Sequence, residues 1–257
     1  MTKMIRHHLP EYLMEAAGLA IFMISAAFFT VLFEEYWVVS SPLSRRFFEG
    51  IAIGLTALGL IYSPWGKQSG AHFNPAVTLT FWRLGKVHHI DFVFYVIFQF
   101  IGGYVGVVLF DLFAQKPFRS AQVNFIVTVP GKPGVFACFF SEMFISFILM
   151  LTILVVTNIP KLARYTGLFA AIWIMLFITF EAPYSGMSMN PARSVATALP
   201  SGIWTAMWIY FVAPFAGMLL SVECYRLIRK DTSVICAKLH HLNPKRCIFK
   251  RCGYAPH

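Results

Sequence analysis

Six long apolar stretches alternate with polar connections along the chain, at residues 12–33, 47–63, 92–113, 135–156, 166–180 and 204–227. A helix needs about 20 predominantly apolar residues to cross a bilayer, so the pattern predicts six spanning helices and an all-α membrane protein. The first stretch is too long for the apolar core of a signal peptide, has no good cleavage site after it and carries Glu15, so it reads as a retained helix. Residues 114–134, with Pro117, Pro130 and Pro133, form the longest internal connection and divide the chain into halves.

Two segments interrupt this pattern. Residues 74–83 and 190–199 read as short helices, neither long nor apolar enough to span. The first opens on Asn74, Pro75 and Ala76, the second on Asn190, Pro191 and Ala192, and Ser69-Gly70 and Ser185-Gly186 lead into them. Asn is a strong helix N-cap, and Pro fits the first helical position, where its missing N–H costs nothing. One such triplet is an ordinary helix start, but repetition with the same lead-in makes it a duplicated element. Glu15 in the first span and Glu142 in the fourth extend the correspondence.

Each half therefore holds two spans, a half-helix and a third span, giving inverted repeats at about 10–113 and 135–228 in one domain, 1–228. Three crossings per half force the second half to run upside down relative to the first. Inverted repeats of this kind bring paired half-helices together at the bilayer midplane with their positive N-terminal ends facing. Irregular backbone at that depth is tolerated only where it is buried or lines a water-filled path.

Composition excludes the soluble alternatives: 58% of the 257 residues are hydrophobic and 12% charged. No nucleophile, base and orienting group converge in the sequence, so it offers no support for an enzyme. With both termini cytoplasmic, all of the 21 Lys and Arg except Arg45, Arg46, Lys116, Arg119, Lys132 and Arg193 fall on the inner side. The net charge of +10 thus addresses anionic lipid headgroups of a plasma or bacterial inner membrane rather than nucleic acid. Residues 229–257 read as a solvated basic cytoplasmic tail. Its His240, His241, Cys247, Cys252 and His257 lack finger-like spacing, so neither metal nor cofactor is expected, and Cys236 is a weak lipidation candidate.

The paired boxes, together with Gln99, Gly102, Gly103 and Gly106 in the third span and Pro214 and Gly217 in the sixth, resemble the major intrinsic proteins, the family of aquaporins and glycerol facilitators. The resemblance covers about residues 15–227. It implies an aquaporin-like fold, a homotetramer with one pore per chain, and passive conduction of water and small neutral solutes such as glycerol, ammonia or dissolved gases, with protons and ions excluded. It further implies that Asn74 and Asn190 donate to the permeant, that Glu15 and Glu142 hold the loop backbone, and that Arg193 stands in a narrow outer filter. Counting from the boxes puts Ile178 and Met187 in that filter, with Ile53 or Gly54 on the second span and Ile53 favoured. Water-selective members usually have an aromatic and a His at the two span positions, so this filter is unusually apolar. Ser194, Ala198, Tyr210 and Phe211 look more like the water branch. The alternatives are a solute facilitator with low water flux and a structural or adhesive protein on the same fold.

Overall fold

The computed structural model describes residues 2–37, 41–229 and 234–253. Among them, ten α-helices follow in order: α1 (Thr2–Val31), α2 (Pro42–Tyr62), α3 (Pro64–Ser69), α4 (Pro75–Arg83), α5 (His89–Arg119), α6 (Val135–Thr157), α7 (Thr166–Phe180), α8 (Ala182–Ser185), α9 (Pro191–Ser201) and α10 (Ile209–Arg229). Helices α1, α5, α6, α7 and α10 are long and apolar enough to cross a membrane, α1 with the π-helical turn Leu32–Tyr36 and α7 with the turn before it. Helix α2 matches them at 21 residues but carries Arg45, Arg46 and Glu49 in its first two turns. Large apolar side chains face outward, among them Phe113 (87% exposed), Phe136 (82%) and Leu227 (81%), as a surface solvated by lipid requires.

Close approach of backbones fixes the packing. A Cβ at Gly102 of α5 would lie 2.1 Å from Ala16 O of α1, and one at Gly217 of α10 would lie 2.2 Å from Met143 O of α6. Only glycine lets these helix pairs meet, and with little hydrophobic drive between helices in lipid, such contact carries the association. The α1/α5 pair of the first half thus has its counterpart in α6/α10. Across the halves, α2 packs on α7 through Gly50 and Gly54, where a Cβ would meet Met175 O at 2.7 Å and Ala171 O at 2.8 Å.

Three boundaries differ from the expected ones. Helix α1 begins at Thr2 rather than near residue 12, because its polar first turns are tied down: His8 and Tyr12 bond the Asp91 carboxylate at 2.7 and 2.6 Å. Helix α5 runs on to Arg119 through a kink at Gln115, which shortens the connection between halves. Helix α10 starts at Ile209 rather than residue 204, since Ala206 adopts φ 50 and the apolar Trp204, Met207 and Trp208 belong to a turn.

The half-helices form for local reasons. Asn74 caps α4 by accepting from Ala76 N at 2.8 Å, Asn190 caps α9 by accepting from Ala192 N at 3.0 Å, and Pro75 and Pro191 occupy the first helical positions. Before each box a short helix, α3 or α8, stops at a glycine in the left-handed region: Gly70 at φ 103 and Gly186 at φ 79.

Candidate functional site

After these glycines the two loops follow the same uncommon path. Ala71 and Phe73 in the first, and Met187 and Met189 in the second, have φ of 57, 48, 50 and 53. Side chains rarely adopt this region, so something must hold the backbone there. Behind the first loop, Glu15 accepts from His72 N (3.1 Å), Phe73 N (2.6 Å), Ser69 Oγ (2.7 Å) and Gln99 Nε2 (2.9 Å). Behind the second, Glu142 accepts from Ser188 N (2.7 Å), Met189 N (2.8 Å) and Ser185 Oγ (2.6 Å). The tyrosines match as well: Tyr95 donates to Ser69 O and Tyr210 to Ser185 O, each at 2.7 Å. Where the first loop sets His72 against Thr78, the second sets Ser188 against Ser194.

The boxes meet through a reciprocal pair of bonds. Asn74 Nδ2 donates to Met189 O at 2.7 Å and Asn190 Nδ2 donates to Phe73 O at 2.8 Å. Because each amide oxygen already caps its own half-helix, the orientation of both amides is determined. One N–H of each amide goes to the facing loop, leaving one N–H to offer a third partner, while each oxygen is turned to the half-helix it caps.

A cavity of about 530 Å³ passes this pair. It touches α2 from Pro42 to Ile61, a rise of about 28 Å at 1.5 Å per residue. Ile53, Ile178, Met187 and Arg193 line it on one side of the asparagines, with Glu34, Arg46 and Glu49 beyond them. On the other side stand Leu60, Ile61, Ala71, His72 and Leu239. Arg193 is half-buried and donates from Nη1 to Ile126 O at 2.9 Å. Pro75, Ala76, Pro191 and Ala192 are buried within the half-helices. Glu15 and Glu142 are buried behind the loops and are not part of the cavity wall. Nor is Gly54, which faces the backbone of α7, whereas Ile53 is on the wall.

Sequence reasoning missed Glu49 and Leu239. Glu49 was findable: it lies one turn before Ile53, and 49, 53, 57 and 60/61 recur at helical spacing along one face of α2.

The tail differs from the expected solvated segment. Within residues 234–253, Cys236, Ala237, Leu239, His241 and Phe249 are buried, and burial of the Cys236 thiol removes the accessible surface that lipidation needs. Leu239 N donates to Gly70 O at 3.1 Å, His72 Nε2 donates to Ala237 O at 2.8 Å, and the His72 ring stacks between Phe81 and Phe249. Arg246 Nε donates to Glu11 Oε1 at 2.6 Å, bolting the tail to α1, and Ile235 N donates to Asn158 Oδ1 at 2.6 Å. Basic composition suggested a solvated tail, but its buried residues Ala237, Leu239 and Phe249 close over the first loop. His257 lies outside the described residues.

Residues 2–225 match the family described as major intrinsic protein. The chain is 31% identical over 161 residues to Aquaporin Z of Photorhabdus laumondii, covering 58% of this chain and 67% of that one. It is 37% identical over 157 residues to Aquaporin NIP1-2 of Arabidopsis thaliana, covering 58% and 52%, and 31% identical over 193 residues to Nodulin-26 of Glycine max, covering 74% and 67%. The match thus spans about half the length of the NIP1-2 relative. In fold, it superposes on the aquaglyceroporin of Plasmodium falciparum with a TM-score of 0.74 at 19% identity, covering 87% of this chain and 98% of that one.

Proposed function

Because this chain belongs to the major intrinsic protein family, we propose that it is a passive channel for water and small neutral solutes that excludes protons and ions. The observation that carries this reading is the reciprocal asparagine pair in the cavity wall. A water between two amides that present their N–H groups, with their oxygens turned to the half-helices, must turn its oxygen to both, so both of its hydrogens point away along the file and it cannot relay a proton. The positive ends of α4 and α9 stand beside it and raise the barrier for cations. Arg193 adds a fixed positive charge, and with Ile53, Ile178 and Met187 it forms the outer constriction.

In this constriction the three apolar side chains offer no hydrogen bond, so a permeant is solvated by Arg193 and backbone carbonyls alone. Water gives up hydrogen bonds there, while the carbon skeleton of a small polyol meets a wall of like polarity. The wild type is therefore expected to show measurable but submaximal water flux with some passage of glycerol. Stopped-flow shrinkage of proteoliposomes, first in an impermeant osmolyte and then in glycerol, measures both. Fast water flux with complete rejection of glycerol would mean that another side chain closes the constriction. Ile178→His is expected to lower glycerol permeability relative to water by about tenfold, the discrimination that one group in a pocket wall commonly gives. An unchanged ratio in the same assay removes Ile178 from the filter.

Orientation and assembly complete the reading. The tail and α1 meet at one end through Arg246 and Glu11, which supports both termini on the same side. The distribution of Lys and Arg supports that side as the cytoplasmic face of a plasma or bacterial inner membrane. Four chains, each with its own pore, form the unit whose mass native mass spectrometry would report.

A further inference from the structure

We propose that Cys236, His241, Cys247 and Cys252 bind a zinc ion that staples residues 234–253 across the end of the cavity. One ligand atom from each of the four lies within 4.8 Å of all the others. Cys236 Sγ and Cys247 Sγ are 3.6 Å apart, and Cys252 Sγ and His241 Nε2 are 2.9 Å apart. Tetrahedral zinc with Zn–S of about 2.3 Å and Zn–N of about 2.0–2.1 Å sets its ligands roughly 3.5–3.8 Å from one another. The separations of the four atoms, from 2.9 Å to at most 4.8 Å, bracket that spacing, and three thiols with one imidazole is a common structural zinc set.

Two features outside the ligands point the same way. Residues 234–253 contain no helix or strand, so no backbone ladder holds the four side chains together, and metal binding commonly supplies the folding free energy of so small a unit. Three thiolates on Zn²⁺ carry a net charge of −1, and Lys238 is buried beside them, its Nζ donating to Lys245 O and Arg246 O. A buried ammonium needs a compensating anion, and the loaded site is one. With this end in the cytoplasm, the thiols stay reduced, which favours metal over disulfide.

What the site would hold in place is the contact between the tail and the first loop. Leu239 stands in the cavity wall, bonded to Gly70, while Ala237 and Phe249 grip His72. The ligands Cys236 and His241 flank this contact on the chain. Removing the metal therefore loosens a plug at the cytoplasmic mouth, and flux rises. This consequence rests on the channel reading; the metal site does not.

The test uses the full chain, purified in detergent without chelator or metal-affinity tag. Elemental analysis is expected to find about one zinc per chain, and Co²⁺ exchange is expected to give thiolate charge-transfer and the intense visible bands of a tetrahedral site. His241→Ala should lose both signals, whereas His241→Cys, which restores a fourth ligand, should keep them. Because both variants change the same position, their difference separates ligation from general damage to the tail. No zinc, together with no cobalt–thiolate bands on titration, would overturn the site, as would a Cys236–Cys247 disulfide in protein prepared under reducing conditions. In proteoliposomes, chelation is expected to raise water flux at least twofold in the wild type and to leave His241→Ala unaffected. Metal bound with flux indifferent to its removal would overturn the plug. Absence of flux in every form, with metal present, would instead count against the channel reading.

Discussion

Asn190→Asp is expected to turn a cation-excluding path into a cation leak. The carboxylate can still accept from Ala192 N and cap α9, but it has no N–H for Phe73 O, and that bond becomes an oxygen–oxygen repulsion. A negative charge about 5 Å from a passing cation is worth about 3 kcal/mol at an effective dielectric constant near 20. That is roughly a hundredfold in cation occupancy at the waist, set against the positive ends of the two half-helices. Potential-driven uptake of monovalent cations into proteoliposomes at low salt measures it. Asn74→Asp, which faces Met189 O in the same way, should behave alike. A variant that folds, passes water at the wild-type rate and admits no cation would refute the facing-box mechanism.

The second large effect concerns folding. Glu142→Ala removes the acceptor for two backbone N–H groups and one hydroxyl, all buried. An unsatisfied buried donor costs about 1–3 kcal/mol, so losing three approaches the whole net stability of a domain, on the order of 5–15 kcal/mol. The expected result is loss of the monodisperse peak in size-exclusion chromatography. Glu142→Gln is milder, because its one oxygen keeps Ser185 and Ser188 while its amide points a donor at Met189 N. That variant should elute normally and melt several degrees lower. An alanine variant with an unchanged elution profile and melting temperature would show that the loop keeps its left-handed residues without the carboxylate.

Much of the fold could be read from the sequence wherever hydropathy and geometry coincide. The fifth span was expected at 166–180 and α7 runs Thr166–Phe180, because the stretch is uniformly apolar and ends at Glu181. Hydropathy reports burial in lipid, not helicity, and the misses follow from that. It could not see α1 continuing through its polar first turns, nor tell the apolar turn at 204–208 from the first turn of α10. The duplicated boxes announced two half-helices, but not that each amide would bond the other loop, since no local pattern encodes a partner 115 residues away. Likewise the choice between Ile53 and Gly54 depends on where α7 sits against α2. The tail was the hardest to read: its cysteines and histidine come from chain without helix or strand, where spacing carries little information about convergence.

The asparagine exchange also bears on how the molecule is made. The side chains that cradle the first loop from behind come from the first half: Glu15, Tyr95 and Gln99 precede the connection between halves, while the tail contacts to Gly70 and His72 come last in the chain. A ribosome adding about 5–20 residues per second takes roughly 6–23 s to travel from Asn74 to Met189. During that interval the nascent first half already has its loop cradled and its half-helix capped, with both N–H groups of the Asn74 amide left to water. The second half must arrive in the opposite orientation to meet it, and it brings an equivalent open donor. The two halves thus join by a handshake in which neither can close first, and a chain stalled between them would wait with its pore half-built.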